Sequence, residues 1–339
     1  MDKRVDSATV MAVDAQGAGR SGFRIAVLVP CFNEEAAVAR VVADFKAALP
    51  EAIVYVFDNN SSDNTVAVAR AAGAEVRHER HQGKGFVLRR MFSDIDADIY
   101  VLVDGDATYD APSAPRMIEL LLRDRLDMVV GKRIDQEVAA YRAGHRTGNW
   151  LLTTFVSTVF GSAFDDILSG YRVFSRRFVK SFPMLSSGFE IETELTVHAL
   201  ELGLPVAEIE TPYYARPEGS TSKLNTWRDG FRILWMIAQL YRSERPFPFF
   251  GAIGCVLALI SVVLAVPIVV TFIETHLVPR LPTAMLAMGL MLMAFLSVAV
   301  GLVLDTVTRG RREMKLLAYL NHRAAGDERR SDKRHPGSA

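Results

Sequence analysis

From Phe249 to Ile273 about 25 consecutive residues carry no charge, and a second uncharged run extends from Leu281 to Leu304. About 20 apolar residues are enough to cross the hydrocarbon of a bilayer as a helix. The link between the runs, Glu274 to Arg280, is short, so the pattern reads as a two-helix transmembrane hairpin over residues 248–307, with Pro267 a point where the first helix can kink. Arg242 and Arg245 precede the first run, and Arg309, Arg311, Arg312 and Lys315 follow the second, whereas the link holds only Arg280. Basic residues concentrate on the cytoplasmic side of a span. Both flanks, both termini and the domain upstream are therefore expected at the cytoplasmic face of the inner membrane.

Lys plus Arg and Asp plus Glu both number 39, so no net field favours nucleic acid. Cys31 and Cys255 lie in unlike surroundings and are not expected to pair, which suits a reducing compartment. Residues 1–22 lack a continuous apolar core and read as a disordered leader, not a signal peptide. Residues 308–339 read as a cytoplasmic tail.

Between these ends, strands and helices alternate. Arg24–Pro30 and Ile53–Phe57 are buried-strand runs, each followed by a polar loop and a helix, the first helix from about Ala36 to Leu49. Glu75–His78 is a short strand, and its loop His81-Gln82-Gly83-Lys84-Gly85 opens a helix to about Ile95. Val101-Leu102-Val103 ends a further strand, a helix spans Ala114–Arg123, and Asp127–Val130 is a strand before Gly131-Lys132-Arg133. Such alternation predicts a mostly parallel sheet with helices on both faces.

The polar motifs all fall just after strands, where open α/β sheets bind ligands. Asp104-Gly105-Asp106 delivers two carboxylates there. An Asp-x-Asp tripeptide is common and often marks only a solvated turn. Two hard oxygen ligands at this place also suit Mg²⁺ or Mn²⁺ carrying phosphate oxygens. Lys84 lacks the Gly-x4-Gly-Lys-Ser/Thr spacing of a Walker A loop. A glycine-flanked lysine at a helix start can still attract phosphate, or be an ordinary turn.

Val29-Pro30-Cys31-Phe32-Asn33-Glu34, Asp58-Asn59-x-Ser61-x-Asp63, Asp104-x-Asp106 and Gly131-x-Arg133 occur in the order seen in family 2 glycosyltransferases, which the chain resembles over residues 24 to 230. Asp166-x-x-Ser169-Gly170-Tyr171-Arg172 and Arg216 followed by Ser222-Lys223-Leu224 are similar to the polyprenyl-phosphate subgroup, which includes dolichol-phosphate mannose synthases and bacterial undecaprenyl-phosphate glucosyltransferases. The resemblance implies a GT-A, Rossmann-like α/β catalytic domain over residues 23–225. It implies donor nucleotide-sugar contacts from Pro30, Phe32, Glu34, Asp58, Asn59, Lys84, Asp104, Gly105 and Arg133. Asp104 and Asp106 would hold Mg²⁺ or Mn²⁺, Asp106 and Asp166 would serve catalysis, and Arg172, Glu192, Arg216, Ser222 and Lys223 would face phosphate or acceptor.

Two departures matter. Many relatives carry Asp-Asp where this chain has Asp58-Asn59, which leaves the base open. The mannosyl branch often continues Asp-x-Asp with Leu-Gln, where Ala107-Thr108 stands here, so a UDP-sugar is favoured over GDP-mannose. Glu190 and Glu194 read as a solvated helix start, where acidic residues are favoured anyway.

Trp227, Phe231, Leu234, Ala238 and Tyr241 recur at helical spacing beside Arg228, Arg232 and Arg242. Residues 226–247 therefore read as a juxtamembrane amphipathic helix. Residues 145–160 read equally as an interfacial or a core helix. The expected reaction is inverting transfer of a hexose to polyprenyl phosphate at the lipid bilayer. A polysaccharide synthase would carry Gln-x-x-Arg-Trp and more spans, and a non-catalytic adaptor would show broken motifs; neither mark is present. Self-association through the spans, as a homo-oligomer, is compatible with the sequence.

Overall fold

The structure, a computed structural model, describes residues 22–135, 164–184, 191–217 and 238–322. In chain order the elements are β1 (Ile25–Cys31), α1 (Val38–Ala48), β2 (Ile53–Asp58), α2 (Thr65–Ala71), β3 (Glu75–His78), α3 (Lys84–Asp94), β4 (Ile99–Leu102) and α4 (Ala114–Arg123). Then come β5 (Met128–Asp135), β6 (Arg172–Ser175), α5 (Arg176–Ser181), α6 (Ile191–Glu201), β7 (Val206–Tyr213), α7 (Pro246–Thr275) and α8 (Leu281–Leu320).

Seven strands form one sheet in the order β3-β2-β1-β4-β6-β5-β7. All neighbours are parallel except β6, which runs antiparallel to both β4 and β5. The sheet is mostly parallel, as the alternation of strands and helices predicts, with one reversed strand. Strand β1 continues through Pro30 to Cys31 rather than stopping at the proline. Its ladder with β4 ends at Leu28–Leu102 while that with β2 runs on to Cys31–Asp58, so Pro30 costs no central hydrogen bond. Strand β5 is longer than its apolar core, because residues Gly131 to Asp135 stay paired with β7.

Apolar side chains of the sheet point alternately to two cores. Val27, Val29, Ile99, Val101 and Val173 pack on one face with Val38, Val42 and Phe45 of α1 and Met117 and Leu121 of α4. Leu28, Tyr100, Leu102 and Phe174 pack on the other with Leu88 and Met91 of α3, Phe178 of α5 and Leu195 of α6. Burial on both faces explains the near-continuous branched runs of β1 and β4.

Helices α7 and α8 are long and apolar enough to cross a membrane, and most of their surface lies outside the protein interior. They pack on each other through small residues spaced by sevens, Gly254 and Ser261 against Ala287, Ala294 and Gly301. Small side chains let two membrane helices approach closely. The Ser261 hydroxyl donates to the Ala287 carbonyl at 2.7 Å and that of Ser297 to the Phe250 carbonyl at 2.8 Å.

The second helix does not end where its apolar run ends. It continues to Leu320, about 24 Å of helix beyond Leu304. That extension reaches the catalytic-size domain. Lys315 pairs with Glu201 of α6 at 2.7 Å, and Tyr319 packs against the α3/α5/α6 core. Residues 238–244 are helical; residues 226–237 of the expected juxtamembrane helix, residues 145–160, Glu190, Ser222 and Lys223 lie outside the described residues.

Candidate active site

The strand order reverses direction of travel between β1 and β4, the place where α/β sheets open a crevice at their carboxyl ends. From β4 the chain enters Val103-Asp104-Gly105-Asp106. The Asp106 carboxylate is buried and accepts the Thr108 hydroxyl at 2.6 Å and the Arg216 guanidinium at 2.7 Å. Burial, and next the charge of Asp104, raises its pKa from the ordinary aspartate value. Ala107 turns the loop at φ +57°, a left-handed conformation that costs a non-glycine residue energy and recurs at functional sites.

Asp104 accepts from Lys84 at 2.5 Å, and the same ammonium reaches Glu192 at 2.5 Å. Burial works against the Lys84 charge, but the two carboxylates more than offset it, so Lys84 stays protonated. Gly170, in the loop before β6, closes over Asp104: a Cβ there would lie 2.5 Å from Asp104 Oδ2. Gly105 is buried behind the pair against Cys31.

Across the cleft, Arg133 on β5 grips Asp166 with two guanidinium bonds of 2.7 and 2.8 Å, and its guanidinium lies 5.6 Å from the centre of the Tyr213 ring. Glu208 of β7 holds the Asp166 loop by accepting the backbone N–H groups of Asp165 and Asp166, each at 2.9 Å. Pro30, Phe32 and Glu34 form a half-buried rim at the end of β1.

Two carboxylates with this burial and charge fit the hard-oxygen preference of Mg²⁺ or Mn²⁺, which completes its shell with phosphate oxygens and water. Among the described residues no group of three or more His, Cys, Asp or Glu gathers to hold a metal. The pair alone is the candidate.

Asp104, Asp106, Lys84, Arg133, Asp166 and Arg216 thus lie around one cleft. Three expected contacts stand elsewhere. Arg172 is fully buried, with its guanidinium donating to the Ser169 and Ile167 carbonyls at 2.9 and 2.6 Å and to the Thr196 hydroxyl at 2.9 Å. Burial pushes its pKa down to about 10. It braces the Asp166 loop instead of facing a phosphate. Glu192 is a buried carboxylate behind Lys84 and would repel a phosphate rather than hold one. Asn59 turns its amide into the Lys84 loop. Asp58 is also buried, accepting the Ser61 N–H at 3.3 Å and lying 3.1 Å from His78 Nδ1.

Sequence reasoning missed Thr108, Tyr109, Glu208 and Tyr213. Tyr109 accepts the Gly170 N–H on its hydroxyl at 2.9 Å, fixing that loop over Asp104. Tyr213 and Glu208 sit on β7, whose Pro212 and polar alternation give little strand signal, so its place beside β5 was not visible.

Comparison with known proteins accords with this layout. The glycosyl transferase family 2 model matches residues 26–182. Glycosyltransferase AglJ of Haloferax volcanii is 34% identical over 68% of this chain and 76% of its own length. The dolichyl-phosphate hexose transferase of the same organism is 27% identical over 65% of this chain and 95% of its own. Among solved structures, glucosyl-3-phosphoglycerate synthase from Mycobacterium tuberculosis, crystallised with Mn²⁺, UDP and glucosyl-3-phosphoglycerate, superposes with a TM-score of 0.53 at 23% identity, over 65% of this chain and 79% of its own. That likeness concerns the fold.

Proposed function

The chain belongs to glycosyl transferase family 2, and on that premise we propose that it transfers a hexose from a nucleotide diphosphate sugar to a polyprenyl phosphate at the cytoplasmic face of a membrane. A UDP-sugar is the favoured donor and GDP-mannose the alternative. The observation that carries this reading is the continuity of α8, one helix that is apolar enough to cross a bilayer and also clamps the domain bearing Asp104 and Asp106. An acceptor whose tail cannot leave the bilayer calls for such an arrangement. The similarity to a dolichyl-phosphate hexose transferase supports it.

In this reading Asp104 and Asp106 hold Mg²⁺ or Mn²⁺, which supplies charge neutralisation on the departing diphosphate. Lys84, Arg133 and Arg216 add fixed positive charge around the same oxygens. Ser222 and Lys223 are assigned to the acceptor phosphate. A phosphate monoester has its second pKa near about 6 and is already an anionic nucleophile at neutral pH. No general base is then required, which agrees with an Asp166 committed to two bonds from Arg133. Asp166 instead holds Arg133 in place. In-line attack inverts the anomeric centre, giving a β-linked product from an α-linked donor.

The test is a donor screen with the full chain in vesicles, a short polyprenyl phosphate, Mg²⁺ or Mn²⁺ and labelled UDP-glucose, UDP-N-acetylglucosamine or GDP-mannose. Label in the organic phase with one donor is the expected result. Absence of lipid-linked sugar with all three would contradict it.

A further inference from the structure

Asn59 directly follows β2, at a position where the family resemblance implies a nucleotide contact. Here its side chain is buried and all its main hydrogen-bonding positions are used on one loop. Nδ2 donates to the Glu79 carbonyl at 3.0 Å and to the His81 carbonyl at 2.7 Å, while Oδ1 accepts the Gly83 N–H at 2.8 Å. A carboxylate could accept from Gly83 but has no proton for either carbonyl. The amide is therefore the group that this loop demands.

The loop leads directly into Lys84. Gly83 sits at φ +138°, a conformation restricted to glycine in practice, and the next residue opens α3 with its ammonium between Asp104 and Glu192. Glu79 reinforces the turn: its carboxylate accepts the His81 N–H at 2.8 Å, and its own N–H donates to the Asp58 carbonyl at 2.9 Å.

We infer that Asn59 is a positioning residue for Lys84, and through it for the donor's diphosphate, and that it does not read the base. The inference rests on the nucleotide-sugar reading only for its ligand; the coupling between Asn59 and the Lys84 loop is a property of the free protein.

The experiment uses the full chain in detergent with UDP and GDP plus Mn²⁺ as probes, comparing wild type, Asn59→Asp, the milder Asn59→Ser, Lys84→Gln and the double variants. Hydrogen exchange comes first and needs no nucleotide. Faster exchange at residues 79–85, with the β1 and β4 amides unchanged, is expected; unchanged exchange there overturns the inference, whatever the nucleotide results. In calorimetry, Asn59→Asp is expected to weaken UDP and GDP by the same factor, about tenfold, as when an orienting neighbour of a ligand-holding group is lost. In the Lys84→Gln background the further loss should fall below about threefold, the mark of residues acting as one unit. A UDP-to-GDP preference altered by Asn59→Asp, or full additivity with Lys84→Gln, would overturn it. Wild type that binds neither nucleotide would count against the proposed function, leaving the exchange result to decide the role of Asn59.

Discussion

Tyr319, one residue from the end of α8, donates its phenol to the buried carboxylate of Asp127 at the foot of β5, 2.7 Å away. Arg177 of α5 binds the same carboxylate and lies 4.8 Å from the centre of the Tyr319 ring, while Ser175 donates to it at 2.7 Å. A membrane-type helix thus ends in the sheet of the catalytic domain. With Lys315 on Glu201, the contact fixes the domain relative to the hairpin, while Arg311 on Glu244 ties α8 to the segment that leads into α7.

Tyr319→Phe should lower stability by about 1.5–3 kcal/mol, the usual worth of a hydrogen bond to a charged group. Asp127→Ala should cost more, about 3 kcal/mol or above, because Arg177 loses its counter-charge in a largely buried setting. Denaturant unfolding in detergent measures both. Equal and negligible effects would mean that the extension merely touches the domain.

Gly170→Ala tests the orientation of Asp104. The added Cβ would fall 2.5 Å from Asp104 Oδ2, so the carboxylate must move. A displacement near 1 Å can cost about a hundredfold in rate. Transfer activity should therefore fall at least tenfold, with a far smaller change in melting temperature.

His198 on α6 gives the fold a pH dependence. Burial between Phe178 and Phe182, and next the Lys315 charge, push its pKa down to about 3. Unfolded histidine titrates near about 6.5. Between these values the unfolded chain takes up a proton that the folded one refuses. The contribution is therefore complete above the unfolded value and is lost as pH falls toward the folded one. From pH 7 to about pH 5 this single group should remove about 2 kcal/mol. His198→Leu should flatten that part of the profile, as read by unfolding free energies at the two pH values.

The residues visible in the sequence were those with local signatures. Strand ends followed by polar loops marked β1, β2 and β4, and the carboxylates of Asp104 and Asp106 followed from them. Uncharged length marked the hairpin. What stayed hidden depended on contacts between distant segments. Arg172 reads as a phosphate-facing cation until its guanidinium is seen capping the Ser169 and Ile167 carbonyls. Asn59 reads as a weakened base contact until its partners at Glu79, His81 and Gly83 are known. Lys315 reads only as a basic flank of the second span and nothing local marks Tyr319, because their partners, Glu201 and Asp127, lie over a hundred residues away.

We propose above all that this site serves an acceptor held in the bilayer. The most direct measurement offers the full chain in vesicles a labelled donor with either a polyprenyl phosphate or soluble 3-phosphoglycerate, in Mn²⁺, and follows label into the organic and aqueous phases. The expected result is sugar on the lipid phosphate alone, abolished by Asp106→Ala. Transfer to the soluble phosphate with none to the lipid would contradict it.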